Sequence, residues 1–184
     1  MIQKIITISL LILLSPILLF ISIIIWLDDG FPILYIQENY GENHSTFNLY
    51  KFRTMKNNTP NIPTEEMEQP KKYLLKSGRI LRKFSLDEIP QFLNILNGTM
   101  NFIGPRPSMT KNEDVIKNLR ERYGIHKLKP GITGLAQVNG RDANNYETKV
   151  AWDKKYMENQ SFILDLKIVL KTFYVIIIPK NIKH

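Results

Sequence analysis

Two carboxylates stand side by side in this chain, Asp87-Glu88, inside the stretch SLDEIPQFLNILNGTMNFIGPRP that covers residues 85–107. Adjacent anions repel, so a cation belongs with them. Paired carboxylate oxygens suit Mg²⁺, which keeps several waters and bridges to substrate phosphates. A carboxylate can also attack phosphorus as a nucleophile. The neighbouring residues agree with phosphate chemistry. Arg79, Arg82 and Lys83 precede the pair at i, i+3, i+4 helical spacing, with Lys76 just before them. They form a face turned to substrate or to lipid headgroups. Gly104-Pro105-Arg106-Pro107 follows. Prolines on both sides of Arg106 stiffen the backbone behind a guanidinium that can hold phosphate bidentately. Lys51 and Arg53 flank Phe52 at a strand end, where they bind phosphate or simply solvate an edge.

The pair needs an element to hold it. Ser85 and Glu88 spell a capping box, S-x-x-E, and Leu86, Ile89, Leu93 and Leu96 supply an apolar stripe behind it. Asn97-Gly98 is the expected stop. Pro90 is awkward at the fifth helical position, so a second reading starts the helix there and leaves both carboxylates in the preceding turn. Either way the pair sits at a helix N-terminus, where anions are favoured. Asp87, Gln91 and Asn94 share a polar stripe opposite the apolar one. As a bare motif the pair reads as a helix cap; the cations around it point to phosphate.

The bulk numbers allow one domain of ordinary size in 184 residues. Cysteine is absent, which excludes disulfides, thiolate metal sites and a cysteine nucleophile. A net charge of +8 implies an anionic partner. Residues 5–27 carry no charge, and Lys4 is the one basic residue before Asp28. At about 1.5 Å per residue the uncharged run is long enough to cross a bilayer. Ser15-Pro16 interrupts it. Pro16 removes the amide that would bond the Ile12 carbonyl, and the Ser15 hydroxyl can back-bond one turn earlier. Physics alone favours a kinked spanning helix over one that bends back within a leaflet. Basic residues beyond it place the remainder on the cytoplasmic side.

Beyond the membrane segment, residues 31–37 and 46–50 read as a β-hairpin, and residues 57–70 as a loop with a short helix capped by Thr64. Lys129 and Arg141 bracket a glycine-rich stretch that reads as a hairpin, not as a phosphate loop. Residues 146–157 have helical spacing. Residues 162–178 read as a helix at the bilayer interface, with Lys180 and Lys183 near headgroups, or as a core-packed terminal helix. His44, His126 and His184 are scattered and suggest no metal site. Basic and aromatic residues do not interleave into a nucleic-acid platform.

Taken together the motifs resemble the bacterial sugar transferases, the monotopic polyprenyl-phosphate phosphoglycosyl transferases. The resemblance runs in register through Leu14-Ser15-Pro16, Tyr50-Lys51-Phe52-Arg53-Thr54-Met55, residues 81–91, residues 104–107, residues 130–141 and Leu164-Asp165-Leu166. It implies an α+β, mostly helical fold: a re-entrant membrane helix over residues 1–28, then a compact cytoplasmic catalytic domain over 29–184 with a β-hairpin and interfacial helices. It implies transfer of a sugar 1-phosphate from a UDP-sugar to undecaprenyl phosphate with release of UMP, the first membrane step of capsule, O-antigen or glycan assembly. By the same resemblance Asp87 is the nucleophile that carries a covalent phosphosugar, and Glu88 is catalytic beside it. Both carboxylates are expected to meet Mg²⁺. Lys51, Arg82 and Arg106 would hold phosphate, Gln137 and Arg141 would contact the nucleotide sugar, and Ser15-Pro16 would break the membrane helix. The expected location is the cytoplasmic face of a bacterial inner membrane. Lipids, downstream glycosyltransferases and a second copy of the chain are candidate partners, and nucleic acid is not. The chain departs from the family's usual pattern at Asn39, where an arginine is common, and at Gln3-Lys4, where the family often has a basic arm. The competing class is a non-catalytic membrane adaptor with a basic, headgroup-binding surface.

Overall fold

The structure is a computed structural model and describes residues 2–60, 67–110, 114–140 and 145–177. The uncharged N-terminal run forms one helix, α1 (Ile2–Asp29), with Pro16 inside it. The Ser15 hydroxyl donates to the Ile12 carbonyl at 2.8 Å, which is the carbonyl that proline leaves without its amide. Thr7 and Ser22 back-bond in the same way, to Gln3 and Leu18. Most of α1 is bare: Ile12, Leu13, Leu19, Phe20 and Leu27 are exposed, and in water such an apolar patch would be covered. A long, unburied apolar helix of this kind indicates membrane association. Its C-terminal part is anchored, with Ile21 and Ile25 sealed in a cluster with Phe52, Leu75 and Leu81.

The hairpin is present: β1 (Leu34–Tyr40) runs antiparallel to β2 (Thr46–Phe52), with Leu34 opposite Phe52 and Tyr40 opposite Thr46. Between them Asn43 and His44 take positive φ. Two residues from the far end of the 104–107 turn, β4 (Ser108–Met109), pair with the other edge of β1, giving the order β2-β1-β4. A second, parallel pair joins β3 (Asn101–Ile103) to β5 (Gly131–Thr133). The expected hairpin in the glycine-rich stretch is therefore not formed. Its first half is a strand that pairs with β3, and helix α6 (Leu135–Val138) follows. The crossing is tight: a Cβ on Gly131 would lie 2.1 Å from the Gly104 amide nitrogen and 2.5 Å from the Ile103 carbonyl carbon. Only glycine permits it.

The remaining helices are α2 (Pro70–Tyr73), α3 (Lys76–Lys83), α4 (Phe92–Asn97), α5 (Asp114–Arg122), α7 (Tyr146–Glu158) and α8 (Phe162–Ile177). α7 starts where Asn145 caps it, accepting from the Thr148 amide at 2.9 Å. The proposed cap at Thr64 lies outside the described residues, as do Lys180 and Lys183. α8 packs Ile168 against Val138 and Tyr156, while Phe162, Ile163, Leu170, Phe173 and Ile177 stay exposed. The histidines are less scattered than the sequence suggested: the His44 and His126 rings stack, with centroids 4.7 Å apart. The chain is thus a mostly helical domain with one apolar N-terminal helix and small β-sheets.

Candidate active site

Asp87 and Glu88 lie in a 3-10 turn, Leu86–Gln91, and α4 begins only after it, at Phe92. The capping box does not form. Ser85 sits in the left-handed region at φ 55°, ψ 24°, and its side chain caps nothing. The structure bears out the second reading in part: the carboxylates precede the helix, but Pro90 lies inside the turn and α4 starts two residues after it. This frees both side chains from capping. Gly98 closes α4 in the left-handed conformation as expected, at φ 81°.

The polar stripe has a different fate from the one its spacing suggested. Gln91 and Asn94 are buried rather than facing solvent. Asn94 accepts from the Tyr50 amide at 3.1 Å and donates to the Asn48 carbonyl at 2.7 Å. It thereby fastens α4 to β2, the strand that carries Lys51. Leu93, from the apolar stripe, is exposed. Polar groups face inward here because β2 offers unpaired backbone groups on that side.

Three cations surround the pair. Arg106 donates to Glu88 Oε1 at 2.8 Å; its side chain keeps 44 % exposure against 13 % for Glu88. Arg82, half-buried at the end of α3, donates through Nε to the Thr54 hydroxyl at 3.0 Å. Arg79 and Lys83, its partners in spacing, point outward. α3 can lie this close to the end of β2 because of Gly78, where a Cβ would come within 2.2 Å of the Thr54 carbonyl oxygen. Lys51 completes the set. Burial pushes its ammonium below the usual range, and Arg106 adds to that, while Glu88 and Asp87 oppose it. The Asp87 carboxyl is pushed up to about 6, first by burial and then by the Glu88 charge, against the pull of Lys51, Arg82 and Arg106. Of the residues that the sequence nominated around phosphate chemistry, the fold therefore gathers Lys51, Arg82, Asp87, Glu88 and Arg106.

The 104–107 turn is held from outside, since its prolines have no N–H to give. The Gly104 amide donates to Thr133 and the Gly131 amide to Pro105, both at 2.9 Å. Close by, Gln137 on α6 has both amide atoms buried without a hydrogen-bond partner among the described residues. A Cβ on Gly134 would meet its Oε1 at 2.7 Å. Arg141 lies outside the described residues.

One cation was misread. Arg53 is not a solvated edge: it is 5 % exposed and closes the end of α1. It pairs with the Asp29 carboxylate and donates to the carbonyls of Pro32 at 2.6 Å, Gly30 at 2.6 Å and Asp29 at 3.0 Å. Asp28 holds the start of α3, accepting from the Ser77 amide and hydroxyl, each at 2.9 Å. Sequence reasoning also missed Arg120 and Asp153, a sealed ion pair between α5 and α7. Both sit in mixed-charge helices whose composition suggests solvent on every side, so no local signal marks them. Asn39, at the position where the family pattern has arginine, is 1 % exposed in the middle strand, with Oδ1 unpaired among the described residues.

Among the described residues no group of three or more histidines, aspartates and glutamates gathers to make a closed metal cage. The donor set at Asp87 and Glu88 still fits Mg²⁺, which takes one or two carboxylates and fills its octahedron with water and phosphate oxygens.

Comparison with known proteins places the chain in a family. The family model described as bacterial sugar transferase matches residues 1–179. A sugar transferase of uncharacterised activity from Bacillus subtilis, EpsL, is 38 % identical, the match covering 92 % of this chain and 82 % of that protein. The exopolysaccharide production protein ExoY of Sinorhizobium fredii is 36 % identical over 93 % of this chain and 81 % of its own length. The UDP-glucose:undecaprenyl-phosphate glucose-1-phosphate transferase of Escherichia coli is 36 % identical over 89 % of this chain, but only 37 % of that longer protein is matched. With the family model matched from end to end of the folded domain, the chain belongs to the bacterial sugar transferases.

Proposed function

We propose that the protein is a phosphoglycosyl transferase, moving a sugar 1-phosphate from a UDP-sugar to undecaprenyl or another polyprenyl phosphate at the cytoplasmic face of a membrane. The observation that carries this reading is a carboxylate, Asp87, set among Lys51, Arg82 and Arg106. An adaptor has no use for an ionisable acid placed at that cost among converging cations, whereas a phosphate-transfer site needs both. The curated relatives named for undecaprenyl-phosphate sugar transfer give the substrate class.

In this mechanism an Asp87 carboxylate oxygen attacks the β-phosphorus of the donor. The bond from that phosphorus to the oxygen bridging the α-phosphate breaks, and UMP leaves with the electron pair. An aspartyl phosphosugar remains. A phosphate oxygen of the polyprenyl acceptor then attacks the same phosphorus, and Asp87 leaves as the carboxylate, giving the polyprenyl diphosphosugar. Arg106, Arg82 and Lys51 hold the diphosphate oxygens and spread the charge that builds during each displacement. Glu88 accepts from Arg106 before the donor arrives. Asp87 and Glu88 would hold Mg²⁺, which would supply positive charge to offset that of the diphosphate and the leaving UMP. Gln137, with its amide unpaired, and Arg141 contact the nucleotide sugar.

The membrane segment re-enters rather than spans. This is the topology that the family resemblance implies. α1 packs against both α3 and α4, the two helices that flank the carboxylate turn. In this arrangement the acceptor's phosphate reaches Asp87 while its chain stays in lipid.

UMP release from a panel of UDP-sugars, with and without polyprenyl phosphate, tests the activity. Acceptor-dependent release with at least one UDP-sugar, lost in Asp87→Asn, is the expected result. Unchanged release in Asp87→Asn would sink the reading.

A further inference from the structure

The back of the 104–107 turn carries a second charged arrangement, separate from the carboxylates. Arg120, on α5, donates through NH1 to the Arg106 carbonyl at 2.8 Å. Its Nε and NH2 both reach Asp153 Oδ2 on α7, at 3.2 and 2.8 Å. Side-chain exposure is 11 % for Arg120 and 2 % for Asp153. The guanidinium is thus divided between two tasks, one edge on a carboxylate and the third nitrogen on the turn.

A buried ion pair alone is poor evidence of stabilisation, because desolvating two charges offsets much of their attraction, and well-packed apolar residues often do as well. The third contact is the informative one. The turn's neighbouring backbone groups are fixed from β5: Gly104 to Thr133, and Pro105 from Gly131. The Arg106 carbonyl lies beyond the reach of that strand pairing, and Arg120 is what meets it. We propose that Arg120, oriented by Asp153, is a positioning residue for Arg106. It fixes the peptide from which the Arg106 side chain projects toward Glu88 and the donor's phosphates. The division of one guanidinium between carboxylate and carbonyl explains why a lysine, with a single nitrogen, is not an equivalent there. This inference rests on the phosphoglycosyl transferase reading for its kinetic consequence, though not for its structural one.

The test is a double-mutant cycle on the full-length protein. The variant Arg120→Met with Asp153→Leu removes both charges together and fills their volume; Arg120→Lys serves as a second variant should that pair fail to fold. With Arg106 present, the substitution lowers kcat/KM for the UDP-sugar by about 10- to 100-fold, as expected when a reacting group is misplaced. In an Arg106→Ala background the same substitution costs less than about 2-fold, because its effect passes through the missing side chain. Equal losses in both backgrounds, or no loss with Arg106 present, would overturn the proposal. Hydrogen exchange supplies an arm that needs no activity. Peptides covering residues 102–109 exchange faster in the variant, while those of α5 and α7 keep their protection. Faster exchange in α5 and α7 with the turn unchanged would reduce the pair to a tie between helices. If the parent protein releases no UMP from any donor, the transferase reading fails, and the exchange arm still decides the positioning claim.

Discussion

Arg53 and Arg106 each meet a carboxylate, yet they occupy opposite environments. Arg53 is sealed, and its guanidinium is bound to Asp29 and to three backbone carbonyls at the end of α1. Arg106 is open to solvent, with 44 % of its side chain exposed and Glu88 as its carboxylate partner. The first arrangement leaves an incoming ligand nothing to exchange for. The second can trade part of its partner set for phosphate oxygens as a donor arrives. On the proposed reading the same residue type does joinery at the membrane end and chemistry beside the carboxylates, and burial decides which.

That contrast can be broken in order of expected effect. Asp87→Asn should lower turnover by on the order of 10⁴-fold, as loss of a covalent nucleophile does, while leaving the unfolding temperature unchanged or raised. Arg106→Ala should cost about 10²-fold in kcat/KM, the scale of losing one donor to developing charge, again without a large change in stability. Both are read by UMP release alongside thermal unfolding. Arg53→Ala should reverse the pattern. Removing the buried guanidinium leaves the carbonyls of Asp29, Gly30 and Pro32 without their donor, which destabilises by about 2 kcal/mol, visible as a lowered unfolding midpoint, with activity falling only as the folded fraction falls. If Arg53→Ala stayed stable but lost turnover, the division into joinery and chemistry would be wrong.

The fourth prediction concerns pH. In the proposed mechanism the reactive form of Asp87 is the anion, and its carboxyl is pushed up to about 6. kcat/KM should therefore rise about tenfold per pH unit below 6 and level off above it. The sign for stability is the opposite. A carboxyl raised from its ordinary 3.8 holds its proton more tightly in the fold than in the unfolded chain. The fold is therefore favoured below 3.8, and that advantage is lost as pH climbs through 6. Lys51→Met removes a cation that favours the anion, so the acidic limb should move to higher pH. A limb that stays in place would show that Lys51 does not act on Asp87. The smallest effect is at Ser15. Ser15→Ala removes the bond to the Ile12 carbonyl, worth about 1 kcal/mol, and leaves topology unchanged. Cysteines introduced at residues 2 and 30 should both be labelled from the cytoplasmic side only, and labelling of residue 2 from outside would restore a spanning helix.

Much of this was legible in the sequence because it rested on local rules. The uncharged run, the Ser15 rescue of a proline-freed carbonyl, the hairpin and the glycine at the end of α4 follow from periodicity, dihedral preference and donor counts within a few residues. Lys51, Arg82, Arg106, Asp87 and Glu88 were nominated by residue type, and the fold brings them together. What failed depended on distant partners. The Ser85 cap lost to a left-handed residue and Pro90. Asn94 turned inward because β2, nearly fifty residues away, needed its amide. Gly131 paired with β3 rather than closing a hairpin. Arg53, Arg120 and Asp153 looked like surface charge because burial is a property of the assembled fold, which no neighbouring residue encodes.

The central claim, that Asp87 carries the sugar phosphate between donor and acceptor, is tested most directly by intact mass measurement. The purified protein is incubated with its UDP-sugar and Mg²⁺ and no polyprenyl phosphate. A mass increase equal to one sugar phosphate less the elements of water is predicted. It should map to Asp87, be absent in Asp87→Asn, and be discharged when polyprenyl phosphate is added. An active enzyme that never gains this mass, or gains it at Glu88, would contradict the account.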